Sequence, residues 1–486
     1  MLNIIRQAAS NKVVWYVLTR YLTYGMQFVV SLLCAAKMGP YYFGIWGFIL
    51  LLLNYMQQIN LGIPNSANIL LVQERNNPKS FAEIESTAFF AQSFLCVGVI
   101  VFALGNVFFG YGFMEKYSIG WLFYLVCITA MLVYLIQICM TVYRVKHQLL
   151  EIAIYQSSIP LLTFIALFLA TGKELLLWFS LAYLVGNAVS FVIFIARGKI
   201  SLKARPNMDT MRKIMKKGFF LFVYNGCFYF IVISTRTIVS SFYEVTEFGY
   251  FTFAYTLADA VILLLGAITF LLFPKSIEKL HTDNIEQVKN TIRILRVNYI
   301  TLTHGLMYMA FLLFPVITLL IPQYKPALST IYLVAMALLS NTMSFGYTDY
   351  LMAQNKDRQI AFISMVSFII NVILAIFFAG ILRCSFEYVI IATIVSYWVF
   401  SLLSIYYGKR QMGENNKLIT IIQESFPIRL LVPFASSALI ALLSSMWLLP
   451  IPLLLYMLLN ISEIKEIIRT FRRLLSNPNI LDVSGV

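Results

Sequence analysis

Charge is scarce in this sequence. Only 12% of its 486 residues are Asp, Glu, Lys or Arg, about half the share found in an ordinary soluble domain. Acids are rarer than bases, 21 against 36, and histidine occurs three times. No His, Asp and Glu cluster as an acid–base pair would require, which argues against a membrane-embedded polymerase or acyltransferase. The six cysteines (Cys34, Cys96, Cys127, Cys139, Cys227 and Cys384) show no CxxC and no partner spacing, so they read as packing residues. The loops contain no Gly-rich phosphate cradle. The opening residues, MLNIIRQAASNK, lack a cleavable signal pattern, so the first apolar segment is expected to act as an uncleaved insertion signal.

Hydrophobic residues, by contrast, make up 60% of the chain, and mean hydropathy is +0.82. These values describe a polytopic membrane protein. A span needs roughly 20 apolar residues, and about fourteen such stretches are present. They lie at 13–36, 42–61, 86–109, 119–142, 152–171, 175–196, 218–241, 250–273, 297–321, 328–351, 360–382, 387–407, 430–448 and 452–468. Each must satisfy its own backbone hydrogen bonds in lipid, so the spans are helices, not strands of a barrel. The expected fold is an all-α integral membrane protein.

The polar run from Arg197 to Gly218 holds eight Lys and Arg against the single acid Asp209. Such a run between spans reads as cytoplasmic. Alternating the loops from there places 29 Lys and Arg on the cytoplasmic side and 5 on the other, with Arg20 and Arg236 inside spans. Both termini are then cytoplasmic. The net charge of +15 follows from this bias at helix ends; it suits anionic lipid and points to no nucleic acid. On the outer side no loop is long enough to form a domain, the largest lying around Gly110 to Ser118.

An internal repeat organises the spans. Tyr42-Phe43-Gly44-Ile45-Trp46 is matched by Glu247-Phe248-Gly249-Tyr250-Phe251. Ten residues beyond each Gly stands a polar residue, Asn54 or Asp259, and each following helix ends in Pro-x-Ser, at Pro64 and Pro274. The repeat predicts two pseudo-symmetric, parallel six-helix bundles. We expect one bundle at 1–196, a basic cytoplasmic linker at 197–217, a second bundle at 218–408, and two additional helices with a basic tail at 409–486.

Polar residues inside the spans fall into stripes. Tyr16, Arg20, Tyr24, Gln27 and Ser31 share one helical face, as do Asn225, Tyr229, Arg236 and Ser240. Asn54, Gln57 and Gln58 add another patch, Thr252, Tyr255 and Asp259 a further one, and Thr301, His304 and Tyr308 another. Further stripes are Asn341, Ser344 and Thr348, and Ser364, Ser367 and Asn371. So many polar faces imply a hydrated interior, since a charge toward lipid costs roughly 2.5–3.5 kcal/mol even on insertion scales. Arg20 and Arg236 are candidates to bind an anionic group; the other readings are snorkelling, or an Arg236–Asp259 ion pair. Asp259 is the candidate for a coupling ion, Na+ or H+, unless that pair holds it. His304 either titrates or packs by hydrogen bonding.

Arg20, then Lys37-Met38-Gly39-Pro40-Tyr41-Tyr42-Phe43-Gly44, then Asn60-Leu61-Gly62-Ile63-Pro64-Asn65-Ser66 resemble the start of the polysaccharide-export flippases, the O-antigen and capsule flippases of the MOP superfamily. Glu247-Phe248-Gly249-Tyr250 through Leu272-Phe273-Pro274-Lys275-Ser276 is similar to the family's second half, as is Ala353-Gln354-Asn355-Lys356 leading to Asn371. Asn60 and Thr235 depart from the pattern, standing where acids are common in the family. The resemblance implies a non-enzymatic flippase of the bacterial inner membrane. Its substrate would be undecaprenyl diphosphate bearing a short glycan, moved to the outer face by alternating access through a cationic central cavity. Arg20, Tyr24, Gln27, Asn54, Asn225, Tyr229, Arg236, Tyr255 and His304 would line that cavity. No cofactor beyond a coupling ion is implied, and a polymerase and chain-length regulator are expected partners. The alternatives are a cation-coupled multidrug exporter of the same superfamily, disfavoured by the interior arginines, and a glycan polymerase.

Overall fold

The computed structural model describes residues 12–200, 204–282, 284–414, 417–443 and 448–476, with side chains except at 12–18, 20, 149, 217, 221, 265–278, 442 and 470–476. Among the described residues there is no strand. The helices are α1 (Lys12–Gln58), α2 (Ile63–Gln73), α3 (Pro78–Phe109), α4 (Gly112–Tyr117), α5 (Leu122–Val145), α6 (Leu149–Ala166), α7 (Gly172–Ala196), α8 (Met208–Phe242) and α9 (Val245–Leu280). They continue as α10 (Ile285–Leu320), α11 (Leu328–Thr342), α12 (Tyr347–Ala353), α13 (Asp357–Ile376), α14 (Ile391–Gln411), α15 (Leu418–Ser425), α16 (Ile428–Leu443), α17 (Pro450–Leu459) and α18 (Ile461–Ser476).

Nine helices among the described residues are long and apolar enough to cross a bilayer, or eleven if α11 with α12 and α15 with α16 each form one bent span. The difference from fourteen has local causes. The first two expected spans are the two helical segments of α1, which meet at a break at Gly39 (φ 72°) before Pro40 and are counted as one among the nine. The expected span at 152–171 is α6, an apolar helix of 18 residues that stands just outside the tally of nine. The expected span at 452–468 stops early. Asn460 donates from Nδ2 to the Arg429 carbonyl (3.0 Å) and to Tyr456 O (3.0 Å), ending α17, and the charged α18 follows.

The chain forms two compact units, one of Met1–Gly226 and Glu244–Gly249, the other of Cys227–Tyr243 and Tyr250–Val486. In the first unit α1 has three faces. Leu22, Val29 and Leu33 are exposed and apolar. Thr23, Val30 and Cys34 are buried, and Thr23 Oγ1 meets Ser157 Oγ of α6 at 3.1 Å. Tyr24, Gln27 and Ser31 make the third face, about 170° round the helix from the first at about 100° per residue. The polar stripe is therefore opposite the lipid-like one. Small side chains Ala67, Ala88 and Ala91 let α2, α3 and α5 close round Ile138 and Val142. The basic run is tied down here: Asn207 N donates to Thr87 Oγ1 (3.1 Å) and Thr210 Oγ1 to Glu83 (2.5 Å). Residues 208–217 of the expected linker are the opening turns of α8.

The repeat's two glycines meet within this unit. A Cβ on Gly44 would strike the Val245 carbonyl and lie 3.1 Å from Gly249 N, and one on Gly249 would strike the Pro40 carbonyl and lie 3.2 Å from Gly44 N. The Phe-Gly signature thus marks a backbone-to-backbone approach that no side chain fits.

In the second unit α11 is buried without interruption from Thr330 to Ser340. The α13 stripe, expected to face water, is a packing seam: Ser364, Ser367 and Asn371 are fully buried. Asn371 Nδ2 donates to Ile231 O (2.7 Å), Ser234 Oγ (2.8 Å) and Thr235 Oγ1 (2.9 Å). Thr235 Oγ1 lies 2.8 Å from Thr393 Oγ1. This network fastens α8, α13 and α14 together.

Candidate functional site

The candidate residues fall into the two units. Tyr24, Gln27 and Asn54 stand on α1 and Asn225 on α8; Gln27 is exposed and the other three are half-buried. The side chains of Tyr16 and Arg20, which complete the α1 stripe, lie outside the described residues, as do those of the Pro274-Lys275-Ser276 motif. Asn60, the first departure from the family pattern, has a local task. Its Oδ1 accepts from Gly62 N (2.9 Å) and its Nδ2 donates to Gln57 O (3.0 Å) and Gln137 Oε1 (3.2 Å). It closes the turn between α1 and α2, where Leu61 and Gly62 are left-handed.

The second unit holds the charged group. Arg236 of α8 is 8% exposed, and its guanidinium carbon stands 5.5 Å from the ring centroid of Tyr255 on α9. Asp259 lies one turn beyond Tyr255 on the same face. Tyr255 shares the electrostatic surroundings of Asp259, Arg236, Tyr229 and Tyr397. Asp259 feels the Arg236 charge yet makes no ion pair among the described residues. Tyr229 is half-buried, as are Tyr255 and Asp259. A guanidinium on an aromatic face keeps its charge while shedding water. A half-buried carboxylate with no ion-paired cation among the described residues is a candidate to take a proton or small cation. Thr235, the second departure, leaves this group by joining the Asn371 seam.

His304 is placed elsewhere. It is fully buried, its Nδ1 lies 3.2 Å from Tyr308 Oη, and its Nε2 has no partner among the described residues. Tyr308 packs on Tyr456 of α17 (5.5 Å between centroids), and Tyr456 Oη donates to Thr301 O (2.5 Å). The α10 stripe is therefore covered by α17.

Residues 9–281, more than half of the chain, match the polysaccharide biosynthesis protein family. The chain belongs to that family. No curated protein matches its sequence. The fold of this polysaccharide biosynthesis family member is similar to solved structures of the MOP superfamily type. One is "Lipid II flippase MurJ, inward closed conformation", at TM-score 0.68 and 14% identity over 94% of this chain and 99% of that one. Another is an inward-facing multidrug resistance MATE family transporter of the MOP superfamily, at TM-score 0.64 and 10% identity over 82% and 98%. An outward-facing MATE transporter matches at 0.55 and 11% over 82% and 95%. At these identities the likeness is one of fold: this family member is a MATE- and MurJ-like multi-pass membrane protein.

One residue of the charged group was not read from the sequence. Tyr397 of α14 is 3% exposed and lies within the electrostatic reach of Asp259. The sign was present: Thr393, Tyr397, Phe400 and Ser404 recur at four, three and four, a single face ending in the same buried seam.

Proposed function

We propose that this protein is a flippase that carries a polyprenyl-diphosphate-linked oligosaccharide, a unit of a surface glycan such as O-antigen or capsule, from the cytoplasmic to the outer face of the bacterial inner membrane. Both termini are cytoplasmic in this reading. The observation that carries it is the Arg236–Tyr255–Asp259 group: a buried cation on an aromatic face in the surroundings of an acid that makes no ion pair among the described residues. The guanidinium offsets the desolvation of a phosphate or an acidic sugar. Tyr255 and Tyr229 offer rings to sugar faces and hydroxyls to sugar hydroxyls. Asp259 takes up Na+ or H+ in one state and releases it in the other, so that ion flow drives alternating access. No bond of the substrate is made or broken. Family membership supports the glycan pathway, in which a polymerase and a chain-length regulator would receive the product.

The test is loss of the protein followed by assay of the membrane face on which lipid-linked glycan collects. Accumulation on the cytoplasmic face is expected. Accumulation on the outer face would show that a later, polymerising step had been lost instead.

A further inference from the structure

Helix α10 carries a second cationic face that the export reading does not use. Lys289, Arg293 and Arg296 recur at intervals of four and three, and with Lys409 at the end of α14 and Arg429 at the start of α16 they line a half-open cavity of about 340 Å3. That volume falls at the lower end of small-ligand sites. Two carboxylates also line it, and both are engaged. Glu414 meets Lys289 at 2.9 Å and Lys409 at 3.6 Å, and Glu424 meets Lys409 at 2.6 Å and accepts from the Tyr347 hydroxyl. Arg429 pairs outside the lining, with Glu463. Lys289, Lys409 and Arg429 are thus held in ion pairs, whereas Arg293 and Arg296 form none among the described residues.

Arg296 is 8% exposed and holds its guanidinium by carbonyls alone. Nη1 donates to Met343 O (2.7 Å) and Phe345 O (3.1 Å), Nη2 to Glu424 O (2.9 Å), and the group stands 5.3 Å from the Tyr347 ring centroid. Its direction is fixed; it forms no ion pair among the described residues, and the Glu424 carboxylate that feels its charge is already paired with Lys409. Arg293, one turn earlier on the same face, is exposed and has no hydrogen bond or ion pair among the described residues. A buried positive charge that lacks an anion is costly to keep. The arrangement supplies a fixed field from Arg296 and a free bidentate fork from Arg293, which is the donor set for a tetrahedral oxyanion. Ile292, Ile300 and Leu430 give the cavity an apolar wall.

We propose that this cavity in the second unit binds a phosphate group, borne either by an anionic membrane lipid or by a small soluble phosphate. The site is separate from Arg236 and Asp259 and stands or falls independently of glycan export.

The experiment uses the full chain in detergent, with phosphatidylglycerol and phosphatidylcholine as probes in native mass spectrometry and inorganic phosphate as a probe in calorimetry. The wild type is expected to retain phosphatidylglycerol over phosphatidylcholine, or to bind inorganic phosphate. Arg293→Gln should weaken that binding by about tenfold, while Lys173→Gln, outside the cavity, leaves it unchanged. Selective lipid retention without phosphate binding assigns the site to a headgroup; phosphate binding without lipid selectivity assigns it to a soluble ligand. Arg296→Gln, where it folds, should weaken binding as well. Because Arg293 is exposed and makes no hydrogen bond or ion pair among the described residues, its variant decides the matter if Arg296→Gln fails to fold. Wild type binding none of the probes selectively, or Arg293→Gln binding them as the wild type does, overturns the proposal.

Discussion

Arg236 and Asp259 lie in the same part of the second unit and feel each other's charge without forming an ion pair with each other, so their roles are testable one at a time. Replacing Arg236 by Ala removes the charge and the partner of the Tyr255 ring. Export of lipid-linked glycan, followed as surface glycan at equal protein level, should fall by about tenfold or more. Arg236→Lys should restore only part of it, because an ammonium lacks the planar fork. Asp259→Asn keeps shape and removes the titratable charge. In vesicles with an imposed Na+ or H+ gradient, this variant should lose gradient-driven transport while still binding substrate; gradient-driven transport at the wild-type rate would place ion coupling elsewhere. The stripes of α8 and α9 were legible because helical periodicity brings residues four apart to one face. Periodicity does not say what the face meets. For that reason His304 and Asn371, equally regular in spacing, turned out to be enclosed by α17 and by the α8–α14 seam.

At the scale of helices, the structure rests on contacts between small or polar groups, since lipid supplies little hydrophobic drive for helices to associate. Asn371 is the clearest case, with three donor contacts within 2.9 Å on α8. Asn371→Ala should destabilise the second unit by about 1–2 kcal/mol, read as a lower melting temperature of the purified protein with unchanged helicity. The Gly44–Gly249 approach makes a different prediction. Gly44→Ala and Gly249→Ala should each lower the melting temperature, and the double variant should lose less than the sum, because both break one contact. The pairing of these glycines by their Phe-Gly signature was visible as a repeat. That the repeat marks the point where the two backbones touch was not, because sequence similarity carries no distance. The early end of α17 was also hidden: a window of apolar residues averages across Asn460, whose side chain turns the chain.

For the whole molecule, the distribution of charge leads to a topology that labelling can check. Single cysteines in place of Lys173 and Arg410, introduced after removal of the native six, should react with a membrane-impermeant maleimide from opposite faces: Lys173 in intact cells, Arg410 only after the membrane is opened. Reaction of both from outside would reject the proposed sidedness. The class of fold was readable because hydropathy and length leave helices as the sole solution in lipid. The number of crossings was less so, since a helix that bends or stops short has the composition of one that does not.

The break at Gly39 has a mechanical side. The 27 residues from Lys12 to Met38 form an unbroken rod of about 40 Å at about 1.5 Å per residue. Pro40 takes one rung out of the ladder of bonds that would otherwise brace the rod to the segment beyond. A pivot of ten degrees at that joint would sweep the far tip through about 7 Å, roughly the breadth of one sugar ring. Stiffening a single dihedral there would therefore be felt a bilayer's thickness away.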